Sequence, residues 1–264
     1  MAVITLLTDF GNRDEYVGVM KGVILSIAPD ACLVDITHEI DPMDLVQGAY
    51  ILAATVNYFP PRSVHLTVVD PGVGGTRAAV AVRCGPHTFV APDNGILSLV
   101  LSEKIDLAVR IENEAVFQKP VSPTFHGRDI FAPAAAFLFA GNHMQKLGPT
   151  ITADSLVRLP QEMMEQYSNN RLEGRVVAID RFGNLMTNIT AQTLNAFRSQ
   201  HQTIGIWIGN TCISIFAKTY SKVGENQPLG LIGSRGYLEI SVNQANAAKR
   251  LNVLKGDRVV VAPL

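Results

Sequence analysis

The spacing of apolar and polar positions divides the chain into two textures. Residues 3–7 form an apolar run that reads as a buried strand, ending in Thr8-Asp9-Phe10-Gly11. Residues 16–28 place Val17, Met20, Val23, Ile24 and Ile27 at helical spacing, and Pro29 ends that helix. A second strand is expected over residues 32–36. Asp41-Pro42 then reads as an N-cap and first-turn pair, opening a helix to about Asn57. Residues 64–69 give a third strand. Strand, helix, strand, helix, strand predicts a parallel sheet covered by helices. Residues 79–83 and 88–91, around Gly85-Pro86, predict a hairpin added to that sheet. A short helix at 96–101, a strand at 107–111 and a helix over 125–141 complete this half. In that last helix Pro133 is tolerable only near the first turn.

Beyond Gly148 the sequence turns polar and loses its period, then short β-rich runs follow at 174–179, 203–208, 212–216, 237–242 and 258–262. The expectation is an α/β domain over residues 1–150, its sheet mostly parallel and helix-covered. A linker at 151–171 and an all-β, barrel-like domain at 172–264 would follow.

Composition narrows the functional classes. Of 264 residues, 47% are apolar and 17% charged, so a sizeable core is available. A net charge of −1 with no basic run argues against nucleic acid or an anionic membrane as partner. Low charge also suggests that subunits cover some apolar surface. Cys32, Cys84 and Cys212 are far apart in apolar runs, and read as reduced core residues. The N-terminal run meets Asp9 too soon for a signal peptide, and the longest apolar stretch, 131–140, is too short for a bilayer. A soluble, cytoplasmic protein is expected.

The candidate chemistry centres on residues 64–77, VHLTVVDPGVGGTR, where a buried strand ends on Asp70 and a glycine-rich loop delivers Arg77. Ligands of open parallel sheets bind beyond the carboxyl ends of the strands, where Asp9 and Asp70 both lie. No GxGxxG or P-loop pattern surrounds Asp9, which suits either the hydroxyls of a ribose or the cap of the first helix. Phe125-His126-Gly127-Arg128-Asp129 opens an apolar helix, where a histidine tends to stay neutral and could hold a water. The same residues fit a capping histidine and a surface ion pair. Asp180, Phe182, Asn184, Ser234 and Arg235 lie in turns of the β-rich half. They fit base stacking, base-edge reading and carboxylate pairing, or plain turn chemistry. In residues 35–41, DITHEID, His38 and Glu39 are adjacent and match neither HExxH nor HxH, so no metal is assigned there.

Five separated motifs, TDFG, VVDPGVGGTR, FHGRDIF, IDRFGNLMTNI and SRGYLEISVNQAN, together resemble the S-adenosyl-L-methionine hydroxide adenosyltransferases, relatives of the fluorinating and chlorinating enzymes. The resemblance implies attack of water or hydroxide on the ribose C5′ of S-adenosyl-L-methionine, releasing adenosine and L-methionine. It implies that Asp70, Arg77 and His126 hold the water, and that Asp9 binds the ribose hydroxyls. Phe182 and Asn184 would contact adenine, helped by the backbone near Asn243 and Gln244. Asp180, Ser234 and Arg235, with Asp14, would take the methionine end. Phe125 counts among the substrate-binding residues. A homotrimer with sites at subunit interfaces is implied, with no metal and no organic cofactor. Halogenating members carry hydroxyl side chains where this chain has His126-Gly127, which favours hydrolysis. The alternatives are a halogenase-type enzyme, a non-catalytic sensor of the same ligand, and a metal-dependent hydrolase built on Asp9, His38, Asp70 and His126.

Overall fold

The computed structural model describes residues 1–102, 105–168 and 170–264; Asn169, within the expected linker, lies outside them. Chain contacts separate two units, Met1–Leu159 and Pro160–Leu264.

The first unit is built on a six-stranded sheet. Its elements are β1 (Ile4–Thr8), α1 (Tyr16–Ile27), β2 (Leu33–Thr37), α2 (Leu45–Thr55), β3 (Val64–Val68), β4 (Ala79–Cys84), β5 (His87–Pro92), β6 (Ile105–Arg110) and α3 (Ala132–Phe139). Strand order is β2-β1-β3-β5-β4-β6. The first four strands run parallel, whereas β4 is antiparallel to both β5 and β6. The sheet is therefore mixed, not simply parallel. A tight turn at Gly85-Pro86 joins β4 to β5, and so short a link can only make an antiparallel pair. Period-two alternation splits the strands between two cores. Ile4, Leu6, Ala79 and Ala81 pack with Met20 and Ile24 of α1 and Ala134 and Ala135 of α3. Leu7, Val80 and Val82 pack on the opposite face with Leu52 of α2.

Two local expectations need correction. α2 begins at Leu45 rather than after Asp41-Pro42, and its cap is Asp44, whose side chain accepts from Gln47 N. Met43, at φ +66°, breaks the helical path in between. The helix expected over 125–141 is interrupted: a π-turn spans Gly127–Phe131 and α3 follows, with Pro133 in its first turn. Pro133 offers no N–H to the preceding turn, and the Asp129 carbonyl instead accepts from Gln118 N at 2.9 Å.

The second unit carries an antiparallel sheet of eight strands, β7 (Gln166–Ser168), β8 (Arg171–Ile179), β9 (Leu185–Thr190), β10 (Ile204–Ile208), β11 (Thr211–Ile213), β12 (Pro228–Ile232), β13 (Tyr237–Val242) and β14 (Arg258–Pro263). The order β11-β10-β14-β8-β9-β13-β12 nearly closes on itself, because residues 215–217 run beside Gly230 of β12 through two backbone hydrogen bonds. The unit is not all-β. α4 (Ala191–Ser199) turns Leu194 and Phe197 into the barrel core, and α5 (Ala247–Leu251) adds Ala247. Of the cysteines only Cys84 is buried; Cys32 is half-buried and Cys212 exposed, so the expectation of three core thiols fails. Cys212 lies on the short β11, whose outward positions face solvent. Among the described residues, no helix is long and apolar enough to cross a membrane.

Candidate active site

In the first unit β3 delivers Asp70 just past its carboxyl end, and the loop that follows folds Arg77 back onto it. Arg77 Nε donates to both Asp70 oxygens, at 3.0 and 2.9 Å, and Nη2 donates to Oδ2 at 2.5 Å. The same Nη2 lies 2.8 Å from His126 Nδ1. Guanidinium nitrogens only donate, so Nδ1 accepts and the imidazole proton sits on Nε2. His126 is held neutral, its pKa lowered first by burial and then by the Arg77 charge. The side chains of Asp70 and Arg77 are 5% and 11% exposed, so the pair is largely out of water. Phe131 of the π-turn lies under the guanidinium at 5.1 Å. The loop closes tightly at Gly74, φ +74°, where a Cβ would stand 2.3 Å from the Pro123 carbonyl oxygen.

Asp9 follows β1, the parallel neighbour of β3. Its carboxylate accepts from Met43 N at 2.9 Å, and its pKa is raised by burial foremost, with the Asp70 charge adding to it. It does not cap α1, whose N-cap is Glu15 without a side-chain bond. Asp14 is exposed in the turn before α1. Phe125 meets Tyr16 edge-on at 5.1 Å and Phe10 at 6.0 Å, an aromatic group beside His126 that sequence reading did not assemble. Asp129 is fully buried, accepting from Ser122 N and from Arg128. The pair therefore anchors the loop before the π-turn instead of decorating the surface.

The second unit holds a cleft of about 770 Å³ lined by turn residues from several strands. Phe182 projects at 77% exposure from the β8–β9 turn. That turn is fixed by Asp180, whose carboxylate accepts from Phe182 N, Asn184 N and Asn184 Nδ2. Gly183, at φ +89°, could carry no Cβ, which would meet the Asn246 side chain at 2.1 Å. Ser234 and Arg235 are exposed on the cleft rim, with Arg235 Nη1 3.2 Å from Met186 Sδ. Asn243 is engaged by its own unit: its side chain donates to Val223 O, and its backbone pairs with Gln227 and Asn226. Gln244 is exposed at φ +57°.

The cleft also contains Tyr220 and Glu239, which sequence reading missed. Tyr220 donates to Glu239 Oε1 at 2.6 Å, and burial followed by that bond pushes its pKa up to about 12. Strand alternation offered a signal for Glu239, since Leu238 and Ile240 on either side are buried. Among the described residues, no group of three or more His, Cys, Asp or Glu side chains is placed to hold a metal ion.

The model of the SAM hydroxide adenosyltransferase N-terminal domain matches residues 4–148, and that of the family's C-terminal domain matches residues 174–260. The chain is 37% identical to an (R)-S-adenosyl-L-methionine hydrolase of Thermus thermophilus, covering 97% of this chain and 98% of that one. A protein of the same name from Methanocaldococcus jannaschii is 37% identical over 95% of this chain and 92% of its own. A fluorinase of Nocardia brasiliensis is 29% identical over 98% and 96%. A solved structure of an uncharacterized conserved protein from Thermotoga maritima superposes with a TM-score of 0.90 at 35% identity, covering 98% of this chain and all of that one. With both family models matched in order and full-length relatives above 30% identity, this chain belongs to the S-adenosyl-L-methionine hydroxide adenosyltransferase family.

Proposed function

We propose that the protein hydrolyses S-adenosyl-L-methionine to adenosine and L-methionine, with water or hydroxide attacking C5′ of the ribose. The observation that carries the reading is the hydrogen-bonded set Asp70–Arg77–His126, a fixed cation between an acceptor and a neutral imidazole. The leaving thioether departs neutral from a sulfonium, so no general acid is needed at sulfur. The demanding partner is the nucleophile. Arg77 beside a water favours its hydroxide form, Asp70 retains lone pairs to accept a water proton, and the Nε2–H of His126 orients the oxygen. Hydroxide meeting a sulfonium destroys charge, which a dry pocket accelerates, and in-line positioning adds several orders of magnitude.

Asp9 takes the ribose hydroxyls in this reading. Phe182 stacks on adenine, and Asn184, its Nδ2 committed to Asp180, presents Oδ1 to the base edge. Arg235 and Ser234 meet the methionine carboxylate, with Asp14, Asp180 and Phe125 as further contacts and Gln244 offering backbone groups. The names of the hydrolase relatives specify (R)-S-adenosyl-L-methionine, and we assign that sulfonium epimer here. A homotrimer with sites at subunit interfaces, implied by the family resemblance, is the proposed assembly; three free cysteines suit a reducing cytoplasm. A halide is a poor nucleophile for this site, because the nearly buried Asp70 carboxylate repels it.

The test incubates chelator-treated protein with each resolved epimer in ¹⁸O-labelled water and reads products by mass spectrometry. Adenosine carrying one heavy oxygen, formed with methionine from the (R) epimer, is the expected result. Binding without products would make the protein a sensor, and loss of activity in chelator would restore the metal-dependent reading.

A further inference from the structure

The segment DITHEID has no part in the chemistry above, yet it is tied to the tip of β1 by an almost continuous polar chain. Lys21 Nζ donates to Asp35 Oδ2 at 2.6 Å. Asp35 Oδ1 lies 3.1 Å from His38 Nε2, and His38 Nδ1 lies 2.8 Å from Thr8 Oγ1. Thr8 Oγ1 in turn receives Phe10 N at 3.3 Å, and the His38 carbonyl receives Gly11 N at 2.7 Å. Thr8 is fully buried and His38 is 2% exposed. The Thr8 hydroxyl and His38 Nδ1 share one hydrogen bond, and Thr8 Oγ1 keeps a lone pair for Phe10 N, while Nε2 faces the Asp35 carboxylate at close range without hydrogen-bond alignment.

Between the two gripped residues, Thr8 and Phe10, stands Asp9. Its carboxylate is held from the other side by Met43 N, five residues beyond His38 in the same connection between β2 and α2. We propose that Asp35 and His38 are positioning residues for Asp9, setting the turn at residues 8–11 so that its carboxylate faces a vicinal diol. This rests on the reading that Asp9 takes the ribose hydroxyls. The imidazole that resembled a metal ligand in sequence is a buried brace between Thr8 and Asp35.

The experiment compares kcat and KM for S-adenosyl-L-methionine and its 2′-deoxyribose counterpart in the unmodified protein and in Thr8→Val, His38→Phe and Asp35→Asn. A misaimed charged hydrogen bond to the diol is expected to raise KM for the ribose substrate about tenfold, with kcat within about twofold. KM for the deoxy substrate, which offers Asp9 only the 3′-hydroxyl, is expected to rise markedly less, which a merely structural defect would not produce. Asp35, with a 40% exposed side chain, gives a variant that folds if the buried substitutions do not. Equal losses on both substrates, or no loss in any folded variant while the unmodified protein prefers ribose, would overturn the positioning role. An unmodified protein indifferent to the 2′-hydroxyl would overturn the ribose role of Asp9 itself, and the brace with it.

Discussion

Replacing Arg77 by alanine separates chemistry from binding more cleanly than any other single change. The side chain makes three contacts to Asp70 and one to His126, and it lies in the first unit while the candidate adenine contacts lie in the second. Its loss removes the cation that favours hydroxide and the donor that fixes the His126 tautomer. Removing one preorganised electrostatic group from a dry site lowers kcat by roughly 10² to 10³, equivalent to about 3–4 kcal/mol. The Asp70 carboxylate, 5% exposed, is left unpaired, and breaking a buried pair costs about 3–5 kcal/mol of stability. A companion Asp70→Asn, Arg77→Ala variant should regain most of that stability and none of the turnover. The assay is steady-state adenosine release beside calorimetric substrate affinity and urea unfolding of each variant. Affinity should change little. A large loss of affinity with kcat unchanged would refute the water-holding role and make Arg77 a substrate anchor.

Two further outcomes follow from the geometry. Gly183→Ala forces a Cβ into Asn246 at a left-handed φ; it should lower stability by about 2 kcal/mol and raise KM with little change in kcat, read by thermal melts and kinetics. His65 is fully buried and bonded to Thr5, and burial foremost, then the His87 charge, lowers its pKa to about 3. Its folded pKa lies below the unfolded value near 6.5, so its contribution is complete above that pH. It is lost as pH falls toward 3, by about 1.4 kcal/mol per pH unit, and His65→Gln should flatten that slope in urea titrations between pH 7 and 5.

Strand β13 was legible to the residue, because residues 237–240 alternate less buried and buried positions before the buried Ser241 and Val242. The hairpin at Gly85-Pro86 was legible through its turn chemistry. β9, β12, α4 and α5 were not. Leu185–Thr190 mixes Thr and Asn into buried positions, and α4 turns only Leu194 and Phe197 inward, too short a pattern to register as a helix. The placement of β6 antiparallel beside β4 depends on strand pairing at a distance, which no local period encodes. At the site, motifs supplied Asp70, Arg77 and His126, but that one guanidinium nitrogen touches both neighbours is a fact of tertiary structure. Tyr220 and Glu239 lacked a motif, and Asp129 read as a surface partner because burial of a charge leaves no mark in local sequence.

The hydrogen bond from Arg77 to His126 Nδ1 has a consequence for where protons go. An imidazole that accepts from a permanent cation on one nitrogen and carries hydrogen on the other can donate a hydrogen bond but has no vacancy to take a proton. The proposed reaction starts from a monocationic sulfonium and ends in neutral adenosine and zwitterionic methionine, so every turnover liberates one proton. Of the three side chains, only Asp70 can receive it, and a protonated Asp70 no longer balances Arg77. The trio is thus charged like a spring by its own product and resets when the proton reaches solvent, so acid released should match adenosine formed mole for mole.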